Sequence, residues 1–158
     1  MTQLVFGVID IPYENAGAPP KPRKGKRKRA KAGEPTTTVM VATWLEDKYG
    51  VMGHFYDAYK DQITGELVES LEGALEDMFA GAPPARDPFA DGTAEIGKMF
   101  KTFLMTAEIE SMGVEGVPTQ AAIERRSLRF KDKISDHARP SFVNTGIYEA
   151  AFTSWVEQ

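Results

Sequence analysis

Residues 38–80 read TVMVATWLEDKYGVMGHFYDAYKDQITGELVESLEGALEDMFA, and their spacing decides the fold. Val41, Leu45, Tyr49, Met52, Tyr56, Tyr59, Ile63, Leu67, Leu71, Ala74 and Met78 step by three or four, the interval that keeps side chains on one helix face. Glu46, Asp47, Lys60, Asp61, Glu66, Glu69, Glu72 and Glu76 fall between them, as a solvated opposite face requires. One unbroken helix of this length would run roughly 60 Å at 1.5 Å per residue. Gly50 and Gly53 are the natural break, leaving a short helix followed by a long one. Gly81, Pro83 and Pro84 stop the second.

On the N-terminal side, Leu4 to Ile11 alternates with β-branched enrichment and reads as a strand that Pro12 ends. Its apolar groups fall on both faces, so the strand is either covered twice or completed by a neighbouring subunit. On the C-terminal side, Asp87 as N-cap and Pro88 at the first helical position open another helix. Its apolar face (Phe89, Ile96, Phe100, Phe103, Ala107) runs to about Met112, before Gly113 and Gly116. Pro118-Thr119 opens a short helical piece through Arg126, Ser127 to Lys133 reads as basic and extended, and 135–140 as polar loop. Asn144 or Thr145 caps a last short helix, and Thr153 to Glu157 finishes as a strand. The expected class is α+β: long amphipathic helices packed on a small antiparallel sheet that includes the N- and C-terminal strands. Two strands alone are marginal, so 127–133 or a partner chain is a candidate for more. The 158 residues suit a single domain over 1–158.

Charge is unevenly distributed. Lys21, Arg23, Lys24, Lys26, Arg27, Lys28, Arg29 and Lys31 form a run with no acidic residue. Of nineteen basic residues eight lie here, leaving eleven against twenty-three acidic residues elsewhere. A short positive arm is attached to an acidic body, so partner surfaces differ in sign with the part they touch. Around the run, Gly and Pro residues and the lack of apolar groups predict a flexible loop over 14–37, because nothing offsets the entropy of ordering it. Three readings of the arm stay open: a solvated loop, contact with an acidic protein surface, and non-specific contact with DNA phosphates. No aromatic residue interleaves with the charges, so base stacking is not expected.

Cysteine is absent, which excludes disulfides, thiolate nucleophiles and zinc–sulfur sites. The opening residues lack a basic lead and are interrupted by Asp10, so no signal peptide is expected. No apolar run approaches the ~20 residues of a membrane span, and a soluble chain with no membrane partner is expected. His54 and His137 are the only histidines, and neither sits in a metal-binding motif. His137 beside Asp136 is a conceivable general base, but sequence neighbours on a polar loop are more simply solvated. The glutamates of 46–76 fit a solvated face better than a divalent-metal cluster. Neither Gly-x-Gly-x-x-Gly nor a Walker loop occurs. The expectation is no enzyme, and no catalytic, cofactor-binding or metal-binding residue.

The chain closes with Arg139-Pro-Ser-Phe142, Asn144-Thr-Gly146 and the aromatics Tyr148, Phe152 and Trp155. Chain ends are loose unless docked, so these aromatics pack into the protein's own core or into an oligomer interface. The order Arg-Pro-Ser-Phe-x-Asn-Thr-Gly-Ile-Tyr resembles the C-terminal region of tail-completion, or neck, proteins that join head to tail in tailed bacteriophages. Lys48-Tyr-Gly-Val-Met52, Leu71-Glu-Gly-Ala-Leu-Glu-Asp77, Pro84-Ala-Arg-Asp-Pro-Phe89 and Gly116-Val-Pro-Thr-Gln-Ala-Ala122 are similar to segments of phage structural proteins of this kind. Asn144 stands where Asp is more usual, and the run 21–31 looks like an insertion. The resemblance implies a non-enzymatic virion protein without cofactor, assembled in the host cytoplasm. It implies partners too: copies of itself in a ring, taken as hexameric, and neighbouring neck and tail proteins. Interface candidates are then Lys24, Lys26, Arg27, Lys28, Arg29, Arg139, Phe142, Thr145, Gly146, Tyr148 and Trp155. Alternatives are a tail terminator, a head–tail adaptor, a baseplate part, or a small DNA-binding accessory protein acting through its arm.

Overall fold

A computed structural model describes residues 2–13, 36–124, 139–143 and 146–157. The expectations for the basic run, for 127–133 and for a cap at Asn144 or Thr145 fall outside these residues.

The first strand, β1 (Gln3–Val8), is followed by α1 (Thr38–Tyr49) and α2 (Val51–Phe79). Next come α3 (Ala90–Met105), α4 (Glu108–Ser111), α5 (Gln120–Ile123), α6 (Ile147–Ala151) and β2 (Phe152–Glu157). The terminal strands pair antiparallel from Gln3↔Glu157 to Val8↔Phe152, in a two-stranded sheet. This is the α+β arrangement that the sequence implies. Two strands survive here because one face has a floor: Leu4, Phe6, Val8, Phe152 and Ser154 all turn toward the core, and β2 lies on α3.

The break between α1 and α2 falls at Gly50, whose φ of 58° is left-handed backbone that glycine adopts without strain. Gly53 continues the helix. Glu46 belongs on no solvated face: its Oε2 accepts from Met52 N–H (2.7 Å) and its Oε1 from Gly53 N–H (3.1 Å). The carboxylate of one helix therefore caps the next, where free N–H groups and the helix dipole favour negative charge.

The core centres on a residue that the stepping pattern passed over. Phe55 is fully buried, whereas Tyr56 is 47% exposed. The Phe55 ring meets Phe100 edge-on at 5.2 Å and lies near Phe6, Tyr59, Phe103 and Phe152. Phe100 stacks on Phe152 at 4.0 Å, joining α3 to β2. Burying each phenylalanine contributes about 1.5–3 kcal/mol. The sheet, α3 and the first half of α2 thus share one aromatic cluster.

Three boundaries differ from expectation. Strand β1 ends at Val8, before Ile9 and Ile11, both of which are exposed. Helix α3 begins at Ala90 rather than Pro88, because Asp87 spends its carboxylate on the turn, accepting from Phe89 N–H (3.0 Å). The apolar face to Met112 is not one helix, since Ala107 at φ 58° divides α3 from α4.

Candidate interaction surfaces

The segment 139–143 is tied into the body through Ser141. Its N–H and hydroxyl both donate to Glu110 Oε1 (2.8 Å each), and its oxygen accepts from Thr119 N–H (3.0 Å). Ser141 is buried, so this stretch holds α4 and the start of α5 together. Arg139 donates from Nη1 to the Val143 carbonyl (3.1 Å), closing the loop on itself. Phe142 adopts φ 70° and sets its ring 5.0 Å from Tyr49. Gly146, at φ 76°, is the left-handed residue that opens α6.

Tyr148 points inward, 2% exposed, with its ring edge-on to Phe100 at 5.9 Å. Its hydroxyl has no hydrogen-bond partner among the described residues. Burial first, then the charge of Glu46, pushes this phenol far above its ordinary value. Tyr59 is pushed up to about 12, first by desolvation and then by its hydrogen bond to Glu108 and that carboxylate's charge.

Trp155 alone among the described candidates offers its side chain outward, 39% exposed on the sheet face away from the core. Its ring lies over Gly7, where a Cβ would come within 2.9 Å, and its Nε1 donates to Glu157 Oε1 (3.0 Å). Val5 pairs beside it on the neighbouring strand. Lys24, Lys26, Arg27, Lys28, Arg29 and Thr145 lie outside the described residues, as does His137. The root of the basic segment does not. Tyr13 N–H donates to Thr36 O (2.8 Å), Pro12 bridges to Thr37, and Thr38 exchanges backbone and hydroxyl bonds with Ile11. The chain therefore leaves and re-enters the body at one point.

A further surface has no counterpart among the candidates. Beyond Ser70, whose hydroxyl donates to Pro88 O (2.9 Å), α2 carries no fully buried side chain. Val68 (50%), Leu75 (41%) and Phe79 (83%) are exposed in a row. At about 100° per residue they share a sector of about 40°, flanked by Glu72, Glu76 and Glu69 in the next 80° or so. Leu67, which packs on the core, lies about 100° away from Val68 on another sector, and the α2 backbone at Glu66 and Leu67 meets Gly92 of α3. The signal was present in sequence, since Val68, Leu75 and Phe79 make a second apolar row beside the first, too wide for one contact.

Among the described residues, no three His, Asp or Glu side chains are grouped to hold a metal ion, and no helix is long and apolar enough to cross a membrane. His54 lies half-buried in the first turn of α2. No protein-family model, no curated protein and no solved structure matches the chain.

Proposed function

We propose that this chain is a structural assembly subunit, a tail-completion or neck protein that forms a ring at the head–tail junction of a tailed phage virion. The observation that supports it most is the exposed apolar surface in a chain of this size. Phe79 at 83% exposure, Val68 and Leu75 on one helix, and Trp155 exposed on the sheet are what assembly interfaces look like before assembly. The ordered resemblance from Lys48 to Tyr148 supports the phage setting. Its best-matching segments include the Ser141 tie and the Tyr148 core contact. On this reading they build the subunit, while Trp155 and the far half of α2 meet neighbours.

Deleting the gene from its phage is expected to leave filled heads and separate tails, with infectivity restored by the chain supplied in trans. Normal, infectious particles from the deletion would end the proposal. The basic run favours one second reading, a DNA-binding accessory protein. That reading requires duplex binding with steep salt dependence that disappears when 21–31 are removed.

A further inference from the structure

We infer that the far half of α2 is the docking surface for the basic run 21–31 of a second copy of this chain. The surface has two components in register. Val68, Leu75 and Phe79 form an apolar row, and Glu69, Glu72 and Glu76 run alongside it. Between residues 61 and 85 there is no Lys or Arg. A partner with apolar side chains alone would strand the carboxylates, and a second α2 would set like charges together. Lysine and arginine satisfy both rows at once: their aliphatic stems cover apolar surface while their heads reach carboxylates. Phe79 adds a ring face for a cation. The chain carries one segment of that chemistry, eight cations without an acidic residue.

The length of the row favours a second copy, because one chain's own run cannot lie along all of it. Strand β1 passes from Leu4 to Val8 toward the Phe55 end of α2, since Phe6 and Phe152 pack on Phe55 while Ser154 reaches Thr93 at the start of α3. Ile9 N–H bonds Ala151 O at 2.7 Å, and the root at Tyr13 and Thr36 follows beyond. Phe79 is twenty-four residues past Phe55 on the same helix, about 36 Å away along the axis. Residues 14–24, drawn straight at about 3.3–3.6 Å each, only just span that gap. Within one chain the run could meet the near end of the row, since Val68 lies only about 20 Å past Phe55, but it would reach Phe79 with its tip alone, at full extension. Two copies placed end to end bring the whole run alongside the row, a heterologous contact of the kind that closes into rings.

The inference rests on the proposed function only in taking the chain to assemble with copies of itself. Because cysteine is absent, single cysteines report contacts cleanly. Gly25→Cys marks the run, and Gly73→Cys marks the acidic side of α2, where a Cβ meets nothing within 4 Å. Neither substitution changes charge. Mixed and oxidised at low salt, the two variants are expected to cross-link to each other several-fold more than either does to itself. About 0.5 M salt should suppress this, since exposed charges are then screened within a few ångströms. Glu69→Lys with Glu72→Lys and Glu76→Lys should abolish it. Mixed cross-linking no greater than self cross-linking, or unaffected by the charge reversal, overturns the inference. So does a Gly25→Cys, Gly73→Cys double variant that closes within one chain. Failed cross-linking beside the head-and-tail deletion phenotype would remove this contact and leave the neck reading standing. The reverse pair of results would keep the contact and remove the neck.

Discussion

The two halves of α2 are continuous in backbone and alike in composition, yet they live in different environments. From Val51 to Ile63 the helix buries Val51, Phe55 and Ile63 against β1, β2 and α3. From Glu66 onward the apolar residues persist, but α3 covers only one side, and Phe79 stands 83% exposed. An apolar period marks a surface that is to be covered. It does not say whether the cover is the same chain or another one. The first half is covered within the chain, the second leaves its apolar row exposed.

The largest break in that comparison comes from the buried half. Phe55→Ala removes the ring shared by five aromatic neighbours and is expected to cost about 3–5 kcal/mol, read as the shift in a urea unfolding midpoint. Should Phe55→Ala fall within 1 kcal/mol or so of the parent, the aromatic cluster is not what holds the sheet to α2.

Gly92→Ala probes the boundary between the halves. A Cβ there would sit 2.7 Å from the Glu66 carbonyl, so α3 must back away from α2 at the point where the covered part ends. Overpacking of this kind costs about 1–3 kcal/mol. An unchanged thermal midpoint would mean that the two helices are not in such close contact.

Tyr148 gives a smaller effect of opposite sign. Its hydroxyl is buried without a partner among the described residues, so Tyr148→Phe should gain about 1 kcal/mol at neutral pH. The alkaline limb sharpens the test. Tyr13, Tyr59 and Tyr148 all have folded pKa values raised above the ordinary 10.0, so the folded chain holds these protons more tightly than the unfolded one. Their contribution is full below pH 10 and is lost as pH climbs through the folded values. Thermal midpoints should fall above that pH, and less steeply in Tyr148→Phe. Destabilisation by that substitution at neutral pH would mean that the hydroxyl is bonded.

The smallest effect on stability is expected in the exposed half. Leu75→Ser with Phe79→Ser should leave the unfolding midpoint within about 0.5 kcal/mol, as surface substitutions do, while reducing self-association in sedimentation. A large loss of stability instead would place these residues in a core.

Much of this fold is legible before any coordinates. The α1–α2 break at Gly50, the stops after Phe79, and Ile96, Phe100 and Phe103 as a buried face follow from local rules of period and backbone. The helix that was displaced, α3, shows the limit of such rules: Asp87-Pro88 has the composition of a helix start, yet Asp87 caps a turn instead. Glu46 is a sharper case. Its spacing places it among solvated acids, and only the bend at Gly50 carries its carboxylate onto the N–H groups of Met52 and Gly53. The interface candidates divide in the same way, since Tyr148 and Trp155 have similar composition and opposite environments.

By itself the sequence determined the helices, the terminal strands and the charge asymmetry, because period, β-branching and glycine act within a few residues of where they stand. Only the tertiary structure decided that Phe55 rather than Tyr56 is the centre of the core. It alone decided that Tyr148 is enclosed, and that the far half of α2 keeps its apolar row in water. Those outcomes depend on which elements arrive beside a helix, and on where α3 and the sheet stop short of its end.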